Sequence, residues 1–416
     1  MTTTSTMHRR LGLLEAVAIG LGSMIGAGVF VVFAPATATA GTWLPLALLL
    51  AAAVALCNAL SSAQLAAQYP VAGGTYVYGR ERLGEWPGFL AGWCFVTGKT
   101  ASCAAMAMTF AAYAVPGPWQ RPVAALAVIA LVAVNCFGVT RTAAATKVLV
   151  GVVLAVLAVV VVAGLLSGAG PGGRLFSSAP PGGPYGVLQA GGLLFFAFAG
   201  YARIATMGEE VRDPARTIPR AIIIALSGTL VLYGVLALLA LTVLGPDELS
   251  RTTTPLADLA AAGGLTWTAP VVRLGAAAAT LGALLAGIAG IARTSLAMAR
   301  TSDLPPALAV LDSRHGVPRR AEITLAVVVV ALVLTLDVRG VIGFSSFGVL
   351  LYYLVANLSA VTQTGEHRRY PRAVSVTGAV LCTVLVVTLP ATSVVAGVLV
   401  LGLGIGCRAL RLRVRR

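Results

Sequence analysis

Gly20, Gly22, Gly26 and Gly28 put four glycines into nine residues, in the middle of the first long apolar run of the chain. Each glycine weakens a helix by roughly 1 kcal/mol relative to alanine. A helix in hydrocarbon must close all of its own backbone hydrogen bonds, because lipid offers no partners. A break at that depth survives only where protein or a wet cavity satisfies the freed N–H and C=O groups. The run Gly20 to Phe30 is therefore expected in the protein interior, with bare peptide groups able to hold a small polar molecule.

Composition sets the solvent. Of 416 residues, 58% are hydrophobic and 10% are charged, against about 25% charged in a soluble domain. The apolar runs are about 17–28 residues long, enough to cross a roughly 30 Å hydrocarbon core as helices. Alternating ten-residue segments of the kind that build a membrane barrel do not occur. The expected fold is an all-α polytopic membrane protein with about twelve spans. They lie near 11–33, 43–67, 86–114, 122–139, 146–168, 186–208, 219–245, 269–299, 321–337, 340–363, 372–389 and 391–407. Only Pro390 and its neighbours divide the last two, which leaves a single re-entrant hairpin as the alternative. The basic start of the chain and Ala38-Thr39-Ala40 outline a signal peptide. The apolar stretch is too long for one and carries Glu15, so it reads as an uncleaved first span.

The formal net charge of +15 raises the question of nucleic acid, and the charge positions answer it. With the N-terminus placed inside, 22 of the 29 Lys and Arg fall near inner span ends and five near outer ends. That asymmetry follows the positive-inside rule, puts both termini in the cytoplasm and needs no nucleic acid. The basic tail Arg408 to Arg416 is expected at anionic lipid headgroups. The longest loops, 246–268 outside and 300–320 inside, are too short for a soluble domain, and the first is long enough for a short surface helix. The whole chain reads as one transmembrane domain. The six cysteines contain no C-x-x-C pair and read as small packing residues.

The sixth span repeats the theme of the first. Leu193 to Arg203 contains Phe195, Phe196 and Phe198, then Gly200, Tyr201 and a buried-position arginine. Two weak points five spans apart point to an inverted repeat with a central site. The halves would be spans 1–5 (about 11–168) and 6–10 (about 186–363), followed by two C-terminal helices (about 372–407) and the tail 408–416. The other reading of Gly200 is a small residue that lets two helices approach closely.

At this point the chain resembles a known family. Gly22-Ser23-Met24-Ile25-Gly26-Ala27-Gly28-Val29-Phe30 is similar to the first-helix motif of the amino acid–polyamine–organocation superfamily. Pro70 to Tyr76 with Gly88-Phe89 and Gly92-Trp93, Phe195 to Tyr201, Glu209 to Pro219, and Ala297 to Pro305 resemble further motifs of that superfamily, in order. The nearest flavour is that of bacterial amino acid permeases related to cationic amino acid transporters. The resemblance implies a 5+5 inverted repeat with broken helices 1 and 6, in a prokaryotic cell membrane. It implies secondary transport of amino acids by alternating access, with no cofactor and no enzymatic activity.

It also implies a site made of Ser23, Met24, Ile25, Gly26, Ala27, Gly28 and of Phe196, Ala197, Phe198, Ala199, Gly200, Tyr201. The N–H groups around Gly26 to Gly28 would receive a substrate carboxylate. Carbonyls at Met24, Phe196, Ala197 and Ala199 would receive its ammonium. Phe198 and Tyr201 would border the side-chain pocket or act as gates; ordinary packing is the competing assignment. Two features depart from the superfamily pattern. Sodium-coupled relatives keep hydroxyls late in helix 8, where this chain has Ile291 and Ala292. Some proton-coupled relatives carry a lysine in helix 5, where this chain has Val153. Coupling to protons or exchange is therefore expected rather than coupling to sodium.

Three charges stand inside spans. Lys99, near the middle of span 3, would cost about 2.5–3.5 kcal/mol to insert. Such groups mark pathways, so Lys99 is expected at the central site, either titrating or touching substrate; a lysine fixed on helix-end carbonyls is the alternative. Glu15 and Arg203, on the inner halves of spans 1 and 6, form a candidate gate as an Arg203–Glu15 or Arg203–Glu209 pair, or else a static strut. Lys147 reads as a snorkelling charge. His8, His315 and His367 form no cluster and no phosphate loop is present, so neither metal chemistry nor ATP-driven pumping is supported. The pattern Asn357-Leu358-Ser359 lies inside span 10 and is accidental as a glycosylation motif. A polyamine carrier would want a carboxylate at the site, and an amino acid sensor would look the same as a carrier in sequence.

Overall fold

The computed structural model describes residues 11–69, 73–138, 143–168, 175–205, 210–265, 267–312 and 315–414. Among these the protein is all-α, with one isolated parallel bridge between Leu11 and Val211. Every one of the twelve expected segments contains a helix. The first is interrupted: α1 (Leu13–Met24) stops, Ile25 to Ala27 leave the helix, and α2 (Gly28–Val31) resumes. Val32 keeps helical geometry and donates to the Gly28 carbonyl at 3.0 Å, so α2 continues into α3 (Phe33–Ala40). The helical stretch thus runs past the expected end at residue 33, until Gly41 turns it with φ +55°.

Next come α4 (Leu44–Gln68), the short α5 (Thr75–Leu83), α6 (Glu85–Ala114), α7 (Gln120–Cys136) and α8 (Ala143–Leu166). The sixth segment is interrupted as well, by a 3₁₀ turn at Ala199–Tyr201 between α9 (Gly183–Phe198) and α10 (Ala202–Ala205). The chain goes on through α11 (Pro214–Val243), α12 (Gly245–Arg251), α13 (Pro255–Ala262), α14 (Thr268–Arg300), α15 (Arg319–Thr335), α16 (Val338–Val361), α17 (Arg372–Thr388) and α18 (Ala391–Val414). Among the described residues, eight stretches are long and apolar enough to cross a membrane by length and composition. Large apolar side chains such as Leu126, Val162, Leu165, Val327 and Leu399 point outward from the bundle, as a lipid-facing surface requires. All six cysteines are unpaired.

Packing follows a paired scheme. α1 packs on α11 as α9 packs on α4; α1 meets α8 as α9 meets α16; α6 meets α16 as α14 meets α8. α6 and α14 lie against each other at the centre. The α6–α16 contact is close because small residues face each other: a Cβ on Gly98 would lie 3.1 Å from the Gly348 Cα, and one on Gly348 would lie 2.7 Å from the Cys94 carbonyl. In membranes, where lipid is as apolar as leucine, such backbone approach is a main source of helix association.

Two expectations are corrected here. The 246–268 loop holds two helices, and they are not surface helices: Leu249, Leu256, Leu259 and Ala260 are fully buried. Apolar residues recurring on one side of each short helix drive it into the bundle. The tail is not wholly a headgroup contact either. Arg408 is 5% exposed and bridges Asp303 at 3.0 Å. Asp303 also takes Arg80 at 3.0 Å and the Tyr76 hydroxyl at 2.7 Å. The Arg408 guanidinium stacks over Trp86 and Phe89, at 4.5 and 4.8 Å. A guanidinium buried with a carboxylate and aromatic faces is far better satisfied than one left alone in apolar surroundings. Burial pushes the Tyr76 phenol above its ordinary value, so it stays a donor to Asp303. Arg415 and Arg416 lie outside the described residues.

Candidate functional site

The two interruptions meet. A Cβ on Gly200 would fall 2.2 Å from the Ser23 carbonyl oxygen and 2.6 Å from the Met24 nitrogen. One on Gly28 would fall 2.6 Å from the Ala197 Cα. Both clashes are with backbone, which cannot swing aside. Glycine at these two positions is what allows the chains to cross at their break points. Gly26 instead faces the Ala283 side chain of α14, at 2.8 Å. The result is a cradle of peptide groups from residues 23–28 and 196–201, largely buried: Met24, Ile25, Ala27, Ala197, Ala199 and Tyr201 are at most 3% exposed, while Ser23 and Gly200 are partly buried.

The freed carbonyls are not empty. Tyr233 of α11, fully buried, donates its hydroxyl to the Met24 carbonyl at 2.8 Å, with the Ala197 carbonyl at 3.4 Å. Lys99 of α6 donates to the Ala199 carbonyl at 3.4 Å. Three of the four carbonyls assigned to an ammonium therefore carry a donor from the protein, and one of those donors is itself an ammonium. Lys99 lies against the second break, its ammonium on a carbonyl at a helix end, which is the geometry of the alternative reading. Tyr233 was missed in the sequence; the signal was a hydroxyl-bearing aromatic alone in the aliphatic run Leu230-Val231-Leu232. The N–H groups at the start of α2 have no partner inside their own helix, as at any helix start.

The aromatics are packed. Phe198 lies against Tyr233 with ring centroids 5.3 Å apart, and Tyr201 stacks on Tyr353 of α16 at 5.1 Å. Both are fully buried. A cleft of about 20 Å³, the size of one water, flanks the first break between Gly22, Ile25, Gly26, Thr146, Val153 and Ala279. Val153 thus borders the first break with an apolar wall. Ile291 and Ala292 are buried and offer no side-chain oxygen.

The gate residues are placed differently from the expectation. Glu15 pairs with Lys147 of α8 at 2.8 Å and accepts from the Gly12 N–H at 2.9 Å, so the expected Glu15–Arg203 pair gives way to Glu15–Lys147. Lys147 lies within reach because α1 packs on α8. Arg203 is exposed, and Glu209 lies outside the described residues. Backbone bonds from Leu11 N to Glu210 O (3.1 Å) and from Arg212 N to Leu11 O (2.9 Å) tie the approach to α1 to the segment after α10. At the opposite end a cavity of about 390 Å³ opens between Val31, Ala34, Pro35, Met108, Asp337 and Arg339.

The two crossed helix breaks are enclosed by α6, α11 and α14, and their peptide groups face one another at the crossing. The amino acid permease family matches residues 11–404. The chain belongs to that family. Uncharacterized transporters of Mycobacterium bovis and Mycobacterium tuberculosis are each 55% identical to this permease over 97% of its length and 92% of theirs. The cationic amino acid transporter 7 (chloroplastic) of Arabidopsis thaliana is 28% identical, covering 84% of this chain and 65% of its own. The permease is a transporter and a multi-pass membrane protein. Among the described residues, no three His, Cys, Asp or Glu gather as metal ligands.

Proposed function

We propose that this permease is a secondary transporter of amino acids, working by alternating access around the crossed breaks and coupled to protons or to exchange rather than to sodium. The observation that carries the reading is the contact of Gly200 with Ser23 and of Gly28 with Ala197. A substrate carboxylate seats at the N–H groups of Gly26 to Gly28, where backbone donors and the helix dipole favour an anion. Its ammonium takes the carbonyl face now held by Tyr233 and Lys99. Binding therefore displaces a tethered donor as it installs a free one, which links occupancy to the position of Lys99. The paired packing of α1–α11 with α9–α4, and of α1–α8 with α9–α16, supports the inverted repeat whose halves exchange roles. The arginine-rich end faces the cytoplasm with both termini, and the 390 Å³ cavity faces outward.

Sodium coupling is disfavoured by the apolar side chains of Ile291 and Ala292. A polyamine carrier is disfavoured because no carboxylate shares the cradle among the described residues; Glu15 is held by Lys147. The test is uptake of labelled L-alanine, L-glutamate and L-arginine into proteoliposomes, with and without a pH gradient or internal amino acid. Saturable uptake of at least one is expected, indifferent to sodium. Binding of an amino acid without any flux would leave a sensor and remove the transporter reading.

A further inference from the structure

A strip of buried polar side chains runs from the second break to the arginine-rich end, between α4, α16 and α17. At its top, the Tyr201 hydroxyl faces the Tyr353 hydroxyl and the Asn58 amide. Below, Asn357 donates to Asn58 at 2.6 Å, with the Cys382 thiol 3.3 Å from the same oxygen. Next comes Ser61 with Ser375 at 2.8 Å. At the foot, Gln363 donates to half-buried Gln68 at 2.6 Å and reaches the Gln64 carbonyl at 3.4 Å. From Asn58 to Gln68 the strip covers ten residues of α4, about 15 Å, or half a hydrocarbon core of roughly 30 Å.

Polar side chains between membrane helices are ordinarily glue, and glue pairs its members. This strip pairs its members only in part. Six buried side-chain atoms on these helices make no short hydrogen bond among the described residues: Ser62 Oγ, Asn357 Oδ1, Gln363 Oε1, and Asn58 Nδ2, Tyr201 OH and Tyr353 OH, the last three facing one another. Buried polar atoms left this way are ordinarily satisfied by internal water, which can also bridge facing polar groups. Donors and acceptors recur at every level, as a proton relay requires.

We propose that this strip is a hydrated proton path between the second break and the arginine-rich face of the protein. The proposal rests on the transporter reading and adds the route of the coupled ion. Each water or hydroxyl takes a proton on one side and gives one up on the other, so none is changed at the end of a passage. Lys99, on the Ala199 carbonyl, stands at the head of the path two residues from Tyr201. The titratable groups along it are Tyr201, Tyr353 and Cys382. Tyr352 and Cys57 lie on the same helices, and Arg369 and Tyr370 donate backbone N–H groups to Gln64 at the foot. No carboxylate hydrogen-bonds into the strip among the described residues.

The test uses the full chain in proteoliposomes with an entrapped pH dye. L-alanine, L-glutamate and L-arginine are offered separately, with Tyr353→Phe and Asn357→Leu as variants. Two readouts are taken: exchange of labelled for unlabelled amino acid at equal pH, and proton entry triggered by the amino acid. Both variants are expected to keep exchange within about twofold while proton entry falls by about a hundredfold, the scale of a lost proton-transfer group. Unchanged proton entry in both overturns the proposal, and so does exchange that falls along with it, which is the mark of a packing role. Tyr353→Phe removes one oxygen only and decides the matter where Asn357→Leu fails to fold. Wild-type exchange with no proton entry also overturns the path and leaves the transporter standing; no wild-type exchange or uptake of any kind removes the transporter reading itself.

Discussion

The two breaks open the backbone with different materials. The first is made by its own residues: between α1 and α2 the chain leaves the helix at Ile25 to Ala27, within a stretch of four glycines. The second keeps a 3₁₀ turn at Ala199–Tyr201 with a single glycine, and is held from outside by Lys99 on its carbonyl and Tyr353 on its ring. A helix opens either where its residues cannot sustain it or where neighbours supply better partners than its own next turn. The first break is local in origin and the second is tertiary.

That contrast can be broken, and the largest effect belongs to the contact the two breaks share. Gly200→Ala would press a methyl group onto the Ser23 backbone. Overpacking of about 1–3 kcal/mol is expected, with loss of uptake and a lower melting temperature in detergent. Gly28→Ala should follow closely, and Gly26→Ala should be milder because Ala283 is a side chain that can yield. Equal tolerance at all three positions would mean that the crossing does not matter.

Lys99→Gln keeps a donor for the Ala199 carbonyl and removes the charge. Uptake is expected to fall by about tenfold and to lose its dependence on external pH, while melting shifts little; roughly tenfold corresponds to about 1.4 kcal/mol in the transport barrier. Lys99→Ala should add a stability loss, since the carbonyl is left bare. Wild-type uptake with wild-type pH dependence in both would end the role of Lys99. Tyr233→Phe strips the donor from Met24 and Ala197 and should cost about 1 kcal/mol in stability, read by denaturation, with a change in KM larger than the change in maximal rate. The smallest effect is expected at Glu15→Gln. Its pair with Lys147 is half-exposed, so a double-mutant cycle should return only the weak coupling of a solvated surface pair. A larger coupling, or one that alters transport direction, would restore Glu15 as a gate residue.

The residues themselves explain which expectations survived. Helix positions and the first break follow from hydropathy and backbone propensity, which are sums along neighbouring residues. Gly22 to Gly28 could therefore be read directly, and so could the weak point at Gly200. The sequence did not reveal Tyr233 as the hydroxyl over Met24, nor Lys147 as the partner of Glu15, nor Arg408 turning inward to Asp303. Each of these joins residues from helices far apart in sequence. The burial of α12 and α13 escaped for a similar reason: Leu249 and Leu256 are buried only because α3, α8, α11 and α14 stand around them.

The sequence alone settled the solvent, the helical class and the two points where the backbone opens, because apolar run length and glycine content act where they stand. The meeting of those points, the donors that fill their carbonyls and the polar strip that leaves the second of them were decided by the tertiary structure. A helical side chain turns by about 100° per residue, so what it touches depends on which neighbour packs on that face, and no stretch of one helix contains that information.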